Sequence, residues 1–197
     1  MKDLVYSLRI GKGGSKLRLE IRIAGYGGQG IIRAGRILAM TASLYEGKYA
    51  VMTQSYGPES RGGHCKSDVV IADEEIDYPM VSNPDFLIAM SQEGYDLNIH
   101  LVKKEGVVIL DSTLVKRVAS AGKPRIYSVP AVKIAEEIGN KIITNIVMLG
   151  FLSGVSGIVS LKSLEKAIKD TFPKKFLEFN MKALKEGHKR GNKERIT

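Results

Sequence analysis

The segment Leu17 to Leu44 constrains this chain most. Leu17 to Ala24 reads LRLEIRIA, with apolar residues at 17, 19, 21 and 23 alternating with charged ones. That period of two predicts a strand with one wetter face, or a strand entering a sheet. Gly25-Tyr26-Gly27-Gly28-Gln29-Gly30 follows, then Ile31, Ala34, Leu38 and Ala42 at helical spacing. Strand, glycine loop and helix in this order open an α/β domain.

The pattern continues along the chain. Strands are expected at Ala50–Met52, Ser67–Ala72, Phe86–Met90, Val107–Leu110 (ending at Asp111) and Arg125–Val129, the last stopped by Pro130. A turn-rich loop is expected at Tyr56–His64 and helices at Glu93–Val102 and Val132–Ile138, with Gly139 closing the second. Alternation of this kind implies a mostly parallel sheet with helices on both faces, a Rossmann-like three-layer α/β fold. Beyond residue 140 only helices are expected. They are Ile142–Ser153, a second one capped by Ser160, and a last one after the break at Pro173. The expected organisation is an N-terminal extension (1–16), one domain (17–187) and a basic tail (188–197).

Charge and cysteine content narrow the function classes. The net charge of +9 invites a nucleic-acid reading. Residues 1–18 hold five Lys/Arg against one Asp, residues 162–197 eleven against five, and the middle fourteen against fifteen. The excess therefore sits at the two ends, which fits solvated faces better than a groove for a phosphate backbone. No apolar run is long enough for a membrane span, and Met1–Lys16 has no apolar core of the export kind. Cys65 stands alone, so the chain can neither close a disulfide nor hold a four-thiolate iron–sulfur cluster. A cytoplasmic location is expected. His64, His100 and His188 lack metal-ligand spacing, so no metal site is expected.

Gly25 to Gly30 fits the G-x-G-x-x-G pattern in its proper strand–helix context. Such glycines allow a sharp turn and close approach of a ligand, and free N–H groups at the helix start attract an anion. The alternative is a tight turn that only packs helix on sheet. A dinucleotide site also needs an acid near the end of the second strand, and Ala50 to Ser55 carries none. Gln54-Ser55-Tyr56-Gly57-Pro58-Glu59-Ser60-Arg61-Gly62-Gly63 follows that strand and should lie at the same edge. Arg61 there can clamp a phosphate or carboxylate, or simply pair with Glu59. Asn145, at the start of an apolar helix, faces a subunit or cofactor or satisfies backbone groups near a helix N-terminus.

Several segments together resemble one family. They are Ile23–Gly30, Ala34-Gly35, Thr53–Gly63, Ile76–Pro79, Pro84-Asp85, Ala89–Glu93, Asp111-Ser112 and Asn145–Gly150. They resemble the gamma subunits of 2-oxoacid:ferredoxin oxidoreductases, over about residues 17–185. The Tyr-Gly-Pro-Glu and Arg-Gly-Gly segment is the most specific, and the wording is most similar to the 2-oxoglutarate type. Pyruvate, 2-oxoisovalerate and indolepyruvate types are near relatives.

The resemblance implies oxidative decarboxylation of a 2-oxoacid on thiamine diphosphate, with electrons passing through iron–sulfur clusters to ferredoxin and the acyl group to coenzyme A. It implies that thiamine diphosphate, Mg2+ and the clusters sit in alpha, beta and delta-type partner subunits. No Gly-Asp-Gly motif for thiamine diphosphate occurs here. The lone chain is expected to be inactive, with no catalytic residue of its own, and able to self-associate when isolated. The residues implied to face partner and coenzyme A are Gly25, Tyr26, Gly27, Gly28, Gln29, Gly30, Tyr56, Gly57, Arg61, Gly62, Gly63 and Asn145, with Arg61 as the anion contact. Arg33 departs from the pattern: pointing at the loop it adds positive charge, pointing outward it is surface. The competing readings are a stand-alone nucleotide or flavin binder, motivated by the glycine loop, and a module for acidic polymers, motivated by the basic ends.

Overall fold

A computed structural model describes residues 17–57, 63–118 and 124–195. Six strands form one sheet: β1 (Arg18–Tyr26), β2 (Tyr49–Tyr56), β3 (His64–Ala72), β4 (Phe86–Ala89), β5 (Val107–Asp111) and β6 (Arg125–Val129), in the order β2-β3-β1-β4-β5-β6. The pairs β1–β4, β4–β5 and β5–β6 are parallel. β3 runs antiparallel to both β1 and β2. The sheet is thus mostly parallel with a hairpin edge. The short connection between β2 and β3 forces this, because a parallel pair needs a long crossover.

Three strands are longer than their composition suggests. β1 runs through Gly25 and Tyr26, β2 through Thr53–Tyr56, and β3 begins at His64. Each extension is paired: Gly25 and Tyr56 both lie opposite Cys65, and Tyr26 lies opposite His64. Ladder partners override the turn-like composition of these ends. The expected helix at Glu93–Val102 is instead a short α2 (Gln92–Asp96) and a 3-10 turn (Ile99–Leu101). Between them the Asn98 side chain donates to the Gly94 carbonyl, while its oxygen accepts from Arg22.

The two faces are covered unequally. α1 (Ile31–Met40), α3 (Ala131–Ile138), α4 (Thr144–Ser156), α5 (Leu161–Thr171) and α6 (Lys174–Lys193) make the thick layer. Their apolar residues meet Ile21, Ile23, Val69, Phe86, Ile88 and Ile109 of the sheet in one core. The other face carries α2 and the 3-10 turn over Ala24, Leu87, Ala89, Val108 and Leu110. Arg22, one of the charged residues of a strand that could have a wetter face or enter a sheet, is only 3% exposed. Its Nε and Nη2 donate to the two Asp68 oxygens at 2.7 Å each, and Nη2 also donates to the Val81 carbonyl. Such a pair persists in the interior only because its hydrogen bonds are satisfied.

Every residue of α4 is buried, so this helix needs close neighbours all round. α6 supplies one through glycines four apart on each helix. A Cβ at Gly150 would lie 2.2 Å from the Leu184 carbonyl oxygen, and one at Gly187 would lie 2.1 Å from that of Val147. Gly154 and Gly191 repeat the contact one turn on, so the two backbones touch along parallel helices. Residues 188–193 of the basic C-terminal stretch are the last turns of α6.

His188 lies in this seam. The Ser153 hydroxyl donates to the Val159 carbonyl, so the 3.2 Å contact to His188 is a bond donated by the imidazole Nδ1–H. Burial, and then the nearby Arg195 charge, hold the His188 pKa below its ordinary value.

Two outcomes follow from the seam. Gly187→Ala should lower stability by about 1–3 kcal/mol, because added volume meets backbone that cannot yield; chemical denaturation measures it. His188 is depressed in the folded state, so the unfolded chain takes up more protons below about pH 6.5. Stability should therefore fall as pH drops from about 6.5 through the folded pKa, and His188→Gln should flatten that part of the pH–stability curve.

Candidate functional site

The carboxyl edge of the sheet gathers the glycine loop, the end of the β2–β3 hairpin and the start of α4. Gln29 organises the first of these. Its Oε1 accepts from the Tyr26 N–H at 2.7 Å, and its Nε2 donates to the Met90 carbonyl at 2.7 Å. The side chain thus straps the end of β1 to the end of β4. Gly25 makes room for it, since a Cβ there would stand 2.4 Å from Gln29 Oε1. Gly30 adopts a left-handed φ of 75° as the residue before α1. A Cβ at Gly30 would also meet Asn145 Nδ2 at 2.5 Å.

Asn145 is 3% exposed and donates from Nδ2 to the Gly30 carbonyl at 3.0 Å. Of the two readings open for this residue, the bond made is to backbone at a helix N-terminus, though the helix is α1 rather than its own. Gly27 N–H donates to the Gly63 carbonyl at 2.9 Å, and Gly57 N–H to that of His64. The hairpin end and the glycine loop are therefore hydrogen-bonded neighbours. Gly28 (φ 93°) faces open space.

Tyr26 and Tyr56 both expose their rings at this edge, at 39% and 62%. Their strand registers put them on opposite faces of the sheet. Tyr26 hydrogen-bonds Glu93, which pushes its hydroxyl pKa up. Arg61 and Gly62, with Pro58, Glu59 and Ser60, lie outside the described residues. Cys65 is buried and burial raises its thiol pKa, the opposite of what a nucleophile needs.

Beside the loop lies a cavity of about 360 Å³ between Gly28, Gln29, Met90, Leu114, Val132 and Ile142, with Lys141 and Thr144 on its wall. The sequence pattern did not single out Leu114, Lys141 or Thr144, because Leu114 follows β5 while Lys141 and Thr144 lie at the entry to α4, and only the fold brings the two together. Asp111, fully buried, holds the backbone of one of the lining residues, Val132. Its Oδ2 accepts from the Val132 N–H at the start of α3, and its Oδ1 from the Thr113 N–H. Desolvation raises its pKa against these bonds. A second hollow, about 380 Å³, lies between β6, Phe151 and the end of α6, and shares no lining residue with the first.

The profile of the pyruvate ferredoxin/flavodoxin oxidoreductase family matches residues 20–190. The chain is 49% identical over 178 residues to the 2-oxoglutarate synthase subunit KorC of Methanocaldococcus jannaschii, covering 88% of this chain and 94% of that protein. The chain belongs to the pyruvate ferredoxin/flavodoxin oxidoreductase family. The crystal structure of a keto/oxoacid ferredoxin oxidoreductase gamma subunit from Geobacter sulfurreducens superposes with a TM-score of 0.83 at 39% identity. It covers 91% of this chain and 99% of that one. A 2-oxoglutarate:ferredoxin oxidoreductase from Magnetococcus marinus, solved with 2-oxoglutarate, coenzyme A and succinyl-CoA bound, gives 0.79 at 25% identity. There the match covers 93% of this chain but 32% of that one.

Within this family framework, two features of the edge distinguish it from a dinucleotide site. β2 carries no carboxylate anywhere from Tyr49 to Tyr56, so no acid is present to hold a ribose hydroxyl. β3 also stands between β1 and β2, so β1, α1 and β2 are not an adjacent parallel unit. What remains is a helix start with no side-chain cap and no acid in its first turn, which leaves its amide field available to an anion. Arg33 does not add to that field: its guanidinium lies over the Phe172 ring, 5.5 Å from the centroid.

Gln29→Ala should release both strapped backbone groups. We expect a stability loss of about 1–3 kcal/mol and faster amide exchange at Tyr26, read by denaturation and by hydrogen exchange.

Proposed function

We propose that this chain is the gamma subunit of a thiamine diphosphate-dependent 2-oxoglutarate:ferredoxin oxidoreductase. The complex converts 2-oxoglutarate, coenzyme A and oxidised ferredoxin into succinyl-CoA, CO2 and reduced ferredoxin, in the cytoplasm. The observation that carries the reading is the 49% identity to a 2-oxoglutarate synthase subunit across nearly the whole of both chains. The Magnetococcus complex supports the same substrate and acyl acceptor.

In this reading thiamine diphosphate, Mg2+ and the iron–sulfur clusters belong to alpha, beta and delta-type partners. The single cysteine of this chain supports that division for the clusters. Thiamine diphosphate supplies the electron sink for decarboxylation. This chain's part is positional. Gly25–Gly30, hydrogen-bonded through Gly27 to Gly63 and stiffened by Gln29 and Asn145, faces the partner and coenzyme A together with Tyr56 and Gly57. The uncapped start of α1 and Arg61 provide positive field for the phosphates of coenzyme A.

Anaerobic affinity purification of the tagged chain from its native host, followed by mass spectrometry, tests the assembly. Near-stoichiometric recovery of a thiamine-binding chain and a cluster-binding chain is expected; recovery of the chain alone, with those subunits intact in the lysate, would overturn it. In the assembled complex, Arg61→Ala should raise the KM for coenzyme A by roughly tenfold to a hundredfold, as loss of one charged hydrogen bond of about 1.5–3 kcal/mol implies. Unchanged kinetics would remove Arg61 from the site.

A further inference from the structure

α6 opens after Pro173 with two aromatic rings on one helix face. Phe176 and Phe179, three residues apart, are 41% and 37% exposed. Phe179 reaches the end of α3, where a Cβ on Gly139 would lie 3.8 Å from its ring. Ile142 follows three residues later, within about 11 Å along the chain. It sits in the 3-10 turn Lys141–Ile143, which packs on α6. Ile142 is 72% exposed, more than any other large apolar residue among the described ones. It also lines the cavity beside the glycine loop, so this apolar face is continuous with the candidate site. Exposed large apolar side chains grouped in this way mark an interaction surface.

Cations border this face. Lys175 lies over the Phe176 ring, 4.9 Å from its centroid, and Arg33 lies over Phe172, just before Pro173. Lys174 and Lys175 stand in the first turn of α6, where the helix dipole disfavours a cation and no acid is present to offset it. Among the described residues, Arg33, Lys174 and Lys175 form no ion pair. Glu136 and Glu178 nearby are already held by Lys141 and Lys182. Glu137, at the end of α3, offsets one of the three free charges. The two lysines are placed against the local stability of α6, and carboxylates arriving from outside would compensate them.

We propose that this face, centred on Ile142, Phe176 and Phe179, is where a partner subunit of the oxidoreductase docks, through an apolar patch of its own bordered by carboxylates. The inference rests on the proposed function for the existence of a partner and adds where that partner lies. Aromatic and aliphatic side chains inside a charged border have the make-up of an interface centre and its rim. Opposite charge across the rim steers the encounter and fixes its register. A second copy of this chain fits worse, because a two-fold contact on this face would set the same lysines against each other. Through Ile142, docking would also close one wall of the cavity beside the glycine loop.

The test is affinity recovery of the tagged chain, replacing the native copy in its host, as wild type, as Ile142→Asp and as the double variant Lys174→Glu, Lys175→Glu. Partner subunits are identified by mass spectrometry, and thermal unfolding of each isolated chain is measured alongside. Glutamates suit the start of a helix. The double variant should therefore unfold at or above the wild-type temperature, yet bring down at least tenfold less of the partner subunits. Ile142→Asp, at an exposed position, should show the same loss with its unfolding temperature kept. Partner recovery equal to wild type in both variants would overturn this surface and leave the proposed function standing. A wild-type chain that recovers no partner, with those subunits intact in the lysate, would overturn both. Loss of a second copy of this chain, rather than of the partner subunits, would assign the face to self-association and overturn the proposal as well.

Discussion

Direct backbone contact between α4 and α6 sets the depth at which α4 lies, and much of the molecule is referenced to that depth. Gly150 and Gly154 meet Gly187 and Gly191 with no side chain between them. α4 therefore sits close to α6 while the rest of its surface packs toward the sheet and the neighbouring helices. Dispersion and apolar burial then act on every side of α4, which explains why this helix tolerates almost no polar residue in its middle. The polar groups it does carry are bonded: the Ser153 hydroxyl to Val159 and the Ser156 hydroxyl to Leu152.

The same placement reaches the functional edge through one side chain. Asn145, in the first turn of α4, holds the Gly30 carbonyl at the point where the glycine loop becomes α1. Gln29 holds the other side of the loop to β4, and Gly63 holds it to the hairpin. The loop is thus braced from α4, β4 and the hairpin end. A loop so braced can present amide groups in a fixed direction without reorganising when a ligand or partner arrives, which is what makes such groups effective. The buried Arg22–Asp68 pair gives the thin side of the sheet a comparable anchor, by gripping the Val81 carbonyl of the connection that runs toward β4.

Local pattern and tertiary context divided the outcome unevenly. Period-two and helical spacing, with Gly139, Ser160 and Pro173 as punctuation, located every strand and most helices among the described residues. Strand ends were the weak point. Thr53–Tyr56 and Gly25-Tyr26 have turn-like compositions, and only the ladder with β3 draws them into the sheet. Alternation placed Arg22 with the charged set of its strand, but it records which residues share a face, not what covers that face. Gly187 and Gly191 looked like part of a basic helix end and a tail. Their four-residue spacing, matched by Gly150 and Gly154, was the available sign of close helix packing.

By itself, the sequence determined the fold class, the glycine loop between a strand and a helix, the absence of a ribose-binding acid, the lack of cluster cysteines and the resemblance to a family. These are properties of composition, period and short spacing, which survive without knowledge of contacts. Only the tertiary structure decided that β3 runs antiparallel between β1 and β2, that Gln29 and Asn145 brace the loop, that Arg33 turns away to Phe172, and that Leu114, Lys141 and Thr144 wall one cavity. Each of these is a meeting of residues distant in sequence. Such meetings depend on which faces are buried together and which backbone groups remain to be paired, and neither is visible until the chain has closed on itself.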